Sequence, residues 1–371
     1  MAIGARAVPR TTLDALPRLL YTGAMPTDDP QAKRPPRTGA PGPEAGPPPR
    51  PPVSKGPVEV ELGAVAGMRA EKVAGTVAIL GRPNVGKSTL LNQIVGQKLA
   101  IVSPKPQTTR NRILGIWNGG AGQMVFVDTP GVHSARSALN RYMVDEALGV
   151  VDGVEAALLV VEPPDSAAAV KIAAAERQIL EALRRARTPV VLVINKVDTI
   201  KDKTFLIPVL EAWNEIASFA ALIPVSARRG TGVRDIVIEL ARLLPAGPPL
   251  FDHELLTDRT ERFLVGELIR EQLFLELRQE LPYATAVLID NWEERSDRGD
   301  VVIDATIVVE RDSQKVIVLG KGGAMIKDIG TRARHEVNEL LGRPAHLRLF
   351  VKVAPEWTSS STDVARMGYR S

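Results

Sequence analysis

The chain has 371 residues, of which 44% are hydrophobic and 24% charged, and it contains no cysteine. This composition supplies ample core material for globular domains, and it excludes a disulfide scaffold, a thiolate metal site, a cysteine nucleophile and, with no run of eighteen apolar residues, a membrane-spanning helix. Forty-seven basic against forty-three acidic residues leave +4 and a pI near 9.3, a mild bias toward polyanionic partners, and the four histidines are too scattered for a histidine-rich metal centre.

Fourteen of the 29 prolines fall within residues 1–57, ending in Pro47-Pro48-Pro49-Arg50-Pro51-Pro52. A segment of this kind cannot bury enough apolar surface to offset its ordering entropy, so residues 1–68 are predicted to form a disordered, partly polyproline II tail. Arg6, Arg10 and Arg18 hint at a targeting segment, but Asp14 and Pro17 interrupt any amphipathic helix. Met68 directly precedes the first folded pattern, which makes it a candidate start of translation.

From Gly75 short β-rich apolar runs alternate with helical ones, the signature of an α/β sheet that is mostly parallel. Strands are predicted at 76–80, 112–118, 123–128, 156–161, 190–195 and 221–226, and helices at 87–95, 139–151, 167–186, 206–218 and 232–243. The glycines around 119–122 read as a hairpin, which makes one edge of this six-stranded sheet antiparallel. Pro245-Ala246-Gly247-Pro248-Pro249 reads as an interdomain linker. Beyond it come an amphipathic helix at 258–280, strands at 285–292 and 301–309 with the second extending toward 315–319, a glycine-rich turn, helices through 326 and from 331 to 341, and a last strand at 346–353. The expected division is a tail at 1–68, an α/β domain at 69–245, a linker at 246–254 and an α+β domain at 255–371.

Gly81-Arg82-Pro83-Asn84-Val85-Gly86-Lys87-Ser88 has the P-loop spacing between a strand and a helix. Backbone amides of such a loop curl around phosphate oxygens, so Gly81, Asn84, Val85, Gly86, Lys87, Ser88 and Thr89 are candidate nucleotide contacts. Lys87 would reach the β and γ phosphates and the Ser88 hydroxyl would ligate Mg²⁺. Asn195-Lys196-Val197-Asp198 follows a later buried strand. A carboxylate at Asp198 accepts from both the ring NH and the exocyclic amine of guanine, groups that adenine does not present together, which points to GTP and GDP rather than ATP. Asn195 would support the opposite edge, Lys196 would lie along the ring, and a backbone NH at Ser226-Ala227 would meet the guanine O6. Asp128-Thr129-Pro130-Gly131 places Asp128 in the Mg²⁺ shell and the Gly131 NH on the γ phosphate. In the loop Pro106-Gln107-Thr108-Thr109-Arg110 one threonine should reach the metal in the triphosphate state, Thr109 ahead of Thr108. Lys87, Thr109 and Gly131 are thus the candidate catalytic groups. His133 reads either as a general base or as surface polarity.

Gly320-Lys321-Gly322-Gly323 is a GxxG loop at a helix start, where small residues let an RNA backbone approach and amides face phosphate. Residues 320–352 carry seven basic against three acidic side chains, so the basic excess is localised there, with Lys321 and Lys327 beside the loop.

Residues 81–91, 105–115, 128–133 and 195–198 resemble the Era family of bacterial ribosome-assembly GTPases, in the translation-factor-related branch of P-loop GTPases. The resemblance continues through 309–327, which is similar to that family's KH domain, and covers about 68–371. It implies a mixed, mostly parallel P-loop GTPase domain followed by an α+β type II KH domain. It further implies binding of the single-stranded 3′ end of 16S rRNA, action in assembly of the 30S ribosomal subunit, a monomeric cytoplasmic protein and peripheral association with the inner membrane. The water-orienting glutamine of many GTPases is replaced by Val132, so hydrolysis is expected to be slow. Asn84 reads either as a turn residue or, as in hydrophobic-substituted relatives, as a helper of K⁺ near the phosphates. Two other classes remain: a protein that holds GTP without useful turnover, and a tRNA-modifying GTPase, which needs machinery such as a terminal cysteine that this chain lacks.

Overall fold

The computed structural model describes residues 56–60, 71–164, 171–295, 297 and 299–369. Six strands, β1 (Val73–Gly81), β2 (Ile113–Gly119), β3 (Gly122–Asp128), β4 (Ala156–Val161), β5 (Val190–Ile194) and β6 (Ala221–Pro224), form one sheet in the order β2-β3-β1-β4-β5-β6. Only β2 is antiparallel to its neighbour, because the tight turn after Gly119 sends the chain straight back along β3. The parallel strands are apolar on both faces because both faces are covered. Helices α1 (Lys87–Val95) and α5 (Val233–Leu243) close one side over Val77, Ile79, Leu158 and Val193. On the other side α2 (Ala138–Leu148), α3 (Ala174–Ala186) and α4 (Leu206–Ile216) close over Ala78, Leu80, Leu159 and Leu192. The P-loop, Asp128, Asn195 and Ser226 all lie at carboxyl ends of strands, where open α/β sheets bind ligands.

The second unit comprises α6 (Glu261–Glu276), β7 (Ala286–Arg295), β8 (Asp300–Val309), α7 (Asp312–Leu319), α8 (Ala324–Leu341), β9 (Ala345–Val353) and α9 (Ser361–Arg366). Its sheet runs β7-β8-β9, with β8 and β9 parallel across the two-helix crossover, the type II KH arrangement. Helices α6, α7 and α8 pack on one sheet face around Ile269, Ile303, Val337, Leu273, Val318 and Ile329. The other face meets the first unit: Ala286 and Val308 pack against Leu139, Tyr142 and Met143 of α2 and against Trp357 and Tyr369 near the C-terminus. One apolar cluster therefore spans both domains.

The linker is pinned to the first domain rather than free of it. Gln123 Oε1 accepts from the amides of Leu250 and Phe251 at 2.7 and 2.8 Å, Ile116 N donates to Leu256 O at 2.8 Å, and Arg259 donates to Arg112 O.

Several elements differ from expectation. Residues 312–319 are helical and do not extend β8: Gln314 Oε1 accepts from the amides of Glu310 and Arg311 at 2.8 and 3.1 Å, and this N-terminal cap outweighs the strand propensity of Val316, Ile317 and Val318. The expected break before Thr331 is absent, because α8 runs unbroken through Gly330. Helix α3 begins at Ala174, and the predicted residues 167–170 lie outside the described residues. Within the predicted tail, 56–60 is packed: Val58 N donates to Ile94 O at 3.1 Å, Trp117 Nε1 to Val58 O at 2.8 Å and Ala121 N to Val60 O at 3.0 Å. A proline-dominated composition masks these two valines, which cover the indole of Trp117. The rest of the predicted tail, 1–55 and 61–68, lies outside the described residues.

Candidate nucleotide and RNA sites

The P-loop turns through Asn84 and Gly86 in left-handed conformations, φ 65° and 97°, and delivers Lys87 to the first turn of α1. The buried Lys87 Nζ donates to Gly81 O at 3.2 Å and Arg82 O at 3.0 Å, so the ammonium already sits inside the ring of the loop. Ser88 Oγ donates to Asp128 Oδ2 at 2.6 Å and stands 2.7 Å from Thr109 Oγ1, which is itself 3.4 Å from Asp128 Oδ2. Thr108 points elsewhere, its hydroxyl donating to Lys105 O at 2.8 Å. Of the two threonines, only Thr109 joins Ser88 and Asp128.

Burial lowers the Lys87 ammonium to about 8 against the pull of Asp128, and raises the Asp128 carboxyl to about 6 against Lys87 and the hydroxyls of Ser88 and Thr109. Each group thus stands short of a counter-charge. Phosphate oxygens beside Lys87 and a divalent cation beside Asp128 would each favour the charged form. Asp128 Oδ1 is buried without a hydrogen-bond partner, and with two adjacent hydroxyls it forms an all-oxygen set that suits Mg²⁺, whose remaining positions phosphate and water fill.

Gly131 lies against the P-loop so closely that a Cβ would stand 2.5 Å from Pro83 N, and Val132 N donates to Gly81 O at 3.2 Å. Val132 is buried among Leu80, Val127 and Ala147, so the position that often carries glutamine is packed into the core. His133 bridges two loops: Nδ1–H donates to Gly131 O at 2.7 Å while Nε2 stands 3.1 Å from Gln107 Nε2. Asn84 Nδ2 donates to Pro104 O at 2.8 Å, a further tie between the P-loop and the Thr109 loop.

At the base end, Ser226 Oγ donates to Asp198 Oδ1 at 2.7 Å, which leaves the carboxylate lining the cavity. Lys196 pairs with Glu162. Asn195 is buried, its Nδ2 donates to Val85 O at 2.8 Å and its Oδ1 accepts from Ala227 N at 2.9 Å. Both polar atoms tie the P-loop to the guanine loop. Asn195 therefore braces the two loops beside the cavity that Asp198 lines.

The cavity that joins these parts has a volume of about 1120 Å³ and extends beyond the first domain. Asn84, Thr109 and Asp198 line one wall, and Gln272 of α6 with Arg332 and His335 of α8 line the other. The GxxG loop lies elsewhere on α8, at its N-terminus. A Cβ on Gly320 would stand 2.7 Å from Met325 Cβ, whereas Gly322 and Gly323, at φ 60° and 80°, have nothing within 4 Å of theirs. Gly320 permits the tight turn and the other two leave open ground beside the exposed Lys321 and Lys327, where a phosphodiester backbone can lie against amides.

Arg110, Arg270 and Lys105 each also bond a backbone carbonyl more than 160 positions away, contacts that no local sequence signal marks.

A family described as 50S ribosome-binding GTPase matches residues 76–196 and the KH domain family matches residues 280–358. GTPase Era of Geobacter metallireducens is 48% identical over 296 residues, 80% of this chain and 97% of that protein, and GTPase Era of Lactobacillus helveticus is 44% identical over 80% of this chain and 96% of its own. Among solved structures, a variant of Aquifex aeolicus Era bound to GDP·AlF4⁻ superposes with a TM-score of 0.77 at 34% identity, covering 81% of this chain and 100% of that one. Era in complex with MgGDPNP and nucleotides 1506–1542 of 16S ribosomal RNA superposes with a TM-score of 0.76, also at 34% identity, over 81% of this chain and 100% of that one. A P-loop with a guanine motif on one domain, a GxxG loop on the next, and relatives that align with it almost end to end make this chain a member of the Era family of GTPases.

Proposed function

We propose that the protein is a GTP-gated switch that binds single-stranded 16S rRNA near its 3′ end through the GxxG loop and acts in maturation of the 30S subunit. The observation that carries this reading is the shared cavity: the wall opposite Asn84, Thr109 and Asp198 is made by α6 and α8 of the KH domain, so the nucleotide state and the position of the RNA-binding helix occupy one space. The solved complex of a relative with a 16S rRNA fragment supports the choice of RNA.

In this reading Asp198 selects guanine, Lys87 and the Gly131 amide hold the β and γ phosphates, and Ser88, Thr109 and Asp128 are the protein side of the Mg²⁺ site. Mg²⁺ neutralises charge that builds on the phosphate oxygens during transfer to water. The buried isopropyl group of Val132 polarises no water, so turnover is slow and rests on positioning and electrostatics. Stimulation by K⁺, tested at Asn84, and peripheral contact of a cytoplasmic protein with the inner membrane belong to the same reading.

The test is GTP turnover by the full chain in potassium buffer, with and without an oligonucleotide copying the 3′ end of small-subunit rRNA. The expected result is a stimulation that disappears when the 320–323 loop is altered. If the RNA binds and turnover stays the same in both conditions, the domains are tethered without being linked, and passive GTP binding is the better description.

A further inference from the structure

The loop that carries Thr109 is gripped by the KH domain on both flanks. On one side, Arg270 of α6 donates to Thr108 O, and its own guanidinium is fixed by Glu267 through Nε at 2.8 Å and Nη2 at 2.5 Å. On the other, Arg110 is 1% exposed and enclosed by the KH domain. Its Nη1 donates to Thr285 O at 2.7 Å and Tyr369 Oη at 3.1 Å, and its Nη2 to Tyr283 O at 2.9 Å and Pro282 O at 3.3 Å. Its guanidinium carbon lies 5.6–6.0 Å from the ring centres of Tyr369, Phe274 and Trp357. Further upstream, Lys105 Nζ donates to the carbonyls of Phe274 and Leu277 at the C-terminal, electronegative end of α6. Val102 N donates to Glu271 Oε1 at 2.9 Å.

Thr109 stands between the two gripped residues. A planar, delocalised cation that meets carbonyls edge-on and rings face-on has one seat here, and moving it leaves a buried guanidinium without acceptors. The position of the Thr109 hydroxyl beside Ser88 and Asp128 is therefore set from the second domain.

We infer that Arg110 and Arg270 are positioning residues for the Mg²⁺–triphosphate site, and that seating of the KH domain and completion of that site by Thr109 are a single event. Linkage then requires reciprocity: RNA that favours the seated arrangement raises affinity for Mg·GTP over GDP by the same factor that GTP raises affinity for RNA. The inference rests on the GTP-gated reading for its biological sense and names its coupling.

The test uses the full chain and its Arg110→Gln, Arg270→Met, Arg270→Lys and Lys105→Met variants. It measures affinity for fluorescent GDP and for a non-hydrolysable GTP analogue, in Mg²⁺ and in chelator, with and without the single-stranded oligonucleotide. GDP makes no demand on Thr109, so GDP affinity should stay level across the variants. Preference for the analogue in Mg²⁺ should fall about tenfold in Arg110→Gln and Arg270→Met, within the usual range of coupling energies, and RNA affinity should become blind to the nucleotide. Arg270→Lys, which keeps the charge, should recover part of the preference. Lys105→Met, at a half-buried site, should show a smaller loss and decides the matter if a buried-arginine variant does not fold.

An analogue preference that survives in all folded variants overturns the inference even where wild-type RNA affinity follows the nucleotide. Wild-type RNA affinity indifferent to the nucleotide removes the GTP-gated reading instead, and leaves the positioning of Thr109 to be judged by the analogue preference alone.

Discussion

The charge of Lys87 makes nucleotide affinity depend on pH. Burial lowers its ammonium to about 8, and among the described residues the compensation comes from the neighbouring Asp128 and two P-loop carbonyls. A diphosphate placed in the loop puts anionic oxygens against the ammonium and raises that value again. The sign follows directly: the group is more basic in the bound state, so affinity is complete below about pH 8 and is lost as pH rises through it. If the bound lysine stays fully charged, the free protein must take up one proton per site before binding above that value. Affinity for GDP should then drop roughly tenfold between pH 7 and pH 9, about 1.4 kcal/mol, with half a proton taken up near the midpoint. The assay is calorimetric titration with GDP in two buffers of different ionisation enthalpy, at pH values where the phosphates are fully ionised. Equal heats in both buffers between pH 7.5 and 9 would refute the reasoning, because they would show that Lys87 is fully charged before the nucleotide arrives.

Asp198→Asn exchanges an acceptor pair for an acceptor and a donor, and should shift preference from guanine toward xanthine nucleotides in competition binding; unchanged GTP preference would remove Asp198 from the base contact. Lys321→Asp with Gly322→Asp places two carboxylates where the RNA backbone is expected, and should weaken RNA binding at least tenfold while GDP affinity holds. RNA affinity that survives this double change would move the surface away from the GxxG loop. Trp357→Ala removes a fully buried indole that stacks on Tyr369 at 6.0 Å and donates to Ala284 O, so it should lower stability by about 3–5 kcal/mol in denaturant titration.

The α/β domain was largely legible because its strands are continuous apolar runs and its loops carry fixed spacings, which local chemistry determines. The second domain was legible in order but less so in kind. Residues 316–318 read as strand because all three are β-branched, yet in the helix only Val318 faces the core while Val316 and Ile317 stay exposed. Gly330 read as a helix break, yet it lies within α8 facing β9: a Cβ there would stand 3.4 Å from Leu349 Cδ1, an ordinary packing distance. After the last predicted strand, Ser360 Oγ accepts from Asp363 N at 3.2 Å and starts α9, a short helix absent from the predicted elements. Within the nucleotide site the residue types were visible and the division of labour was not. Whether Asn195 meets the base or braces Val85 depends on how closely two loops approach, and the identity of the carbonyls around Arg110 depends on how two domains dock. Neither distance is written in spacing along the chain.

The strap of residues from Leu250 to Arg259 along the β2–β3 hairpin has a mechanical consequence. Consecutive anchor points on Gln123, Ile116 and Arg112 leave only a few residues of slack, so the KH domain does not swing on a leash of the linker's full contour length. A tether this short keeps the domain's effective concentration over the nucleotide cavity high even when individual contacts open. The strap also occupies the outer rim of β2, the unpaired border of the sheet. Peeling it away would bare a row of amides and carbonyls able to recruit a strand from a second molecule. Large excursions of the KH domain therefore carry a risk of self-association, and a short, stepwise tether keeps the working motion within a small rotation.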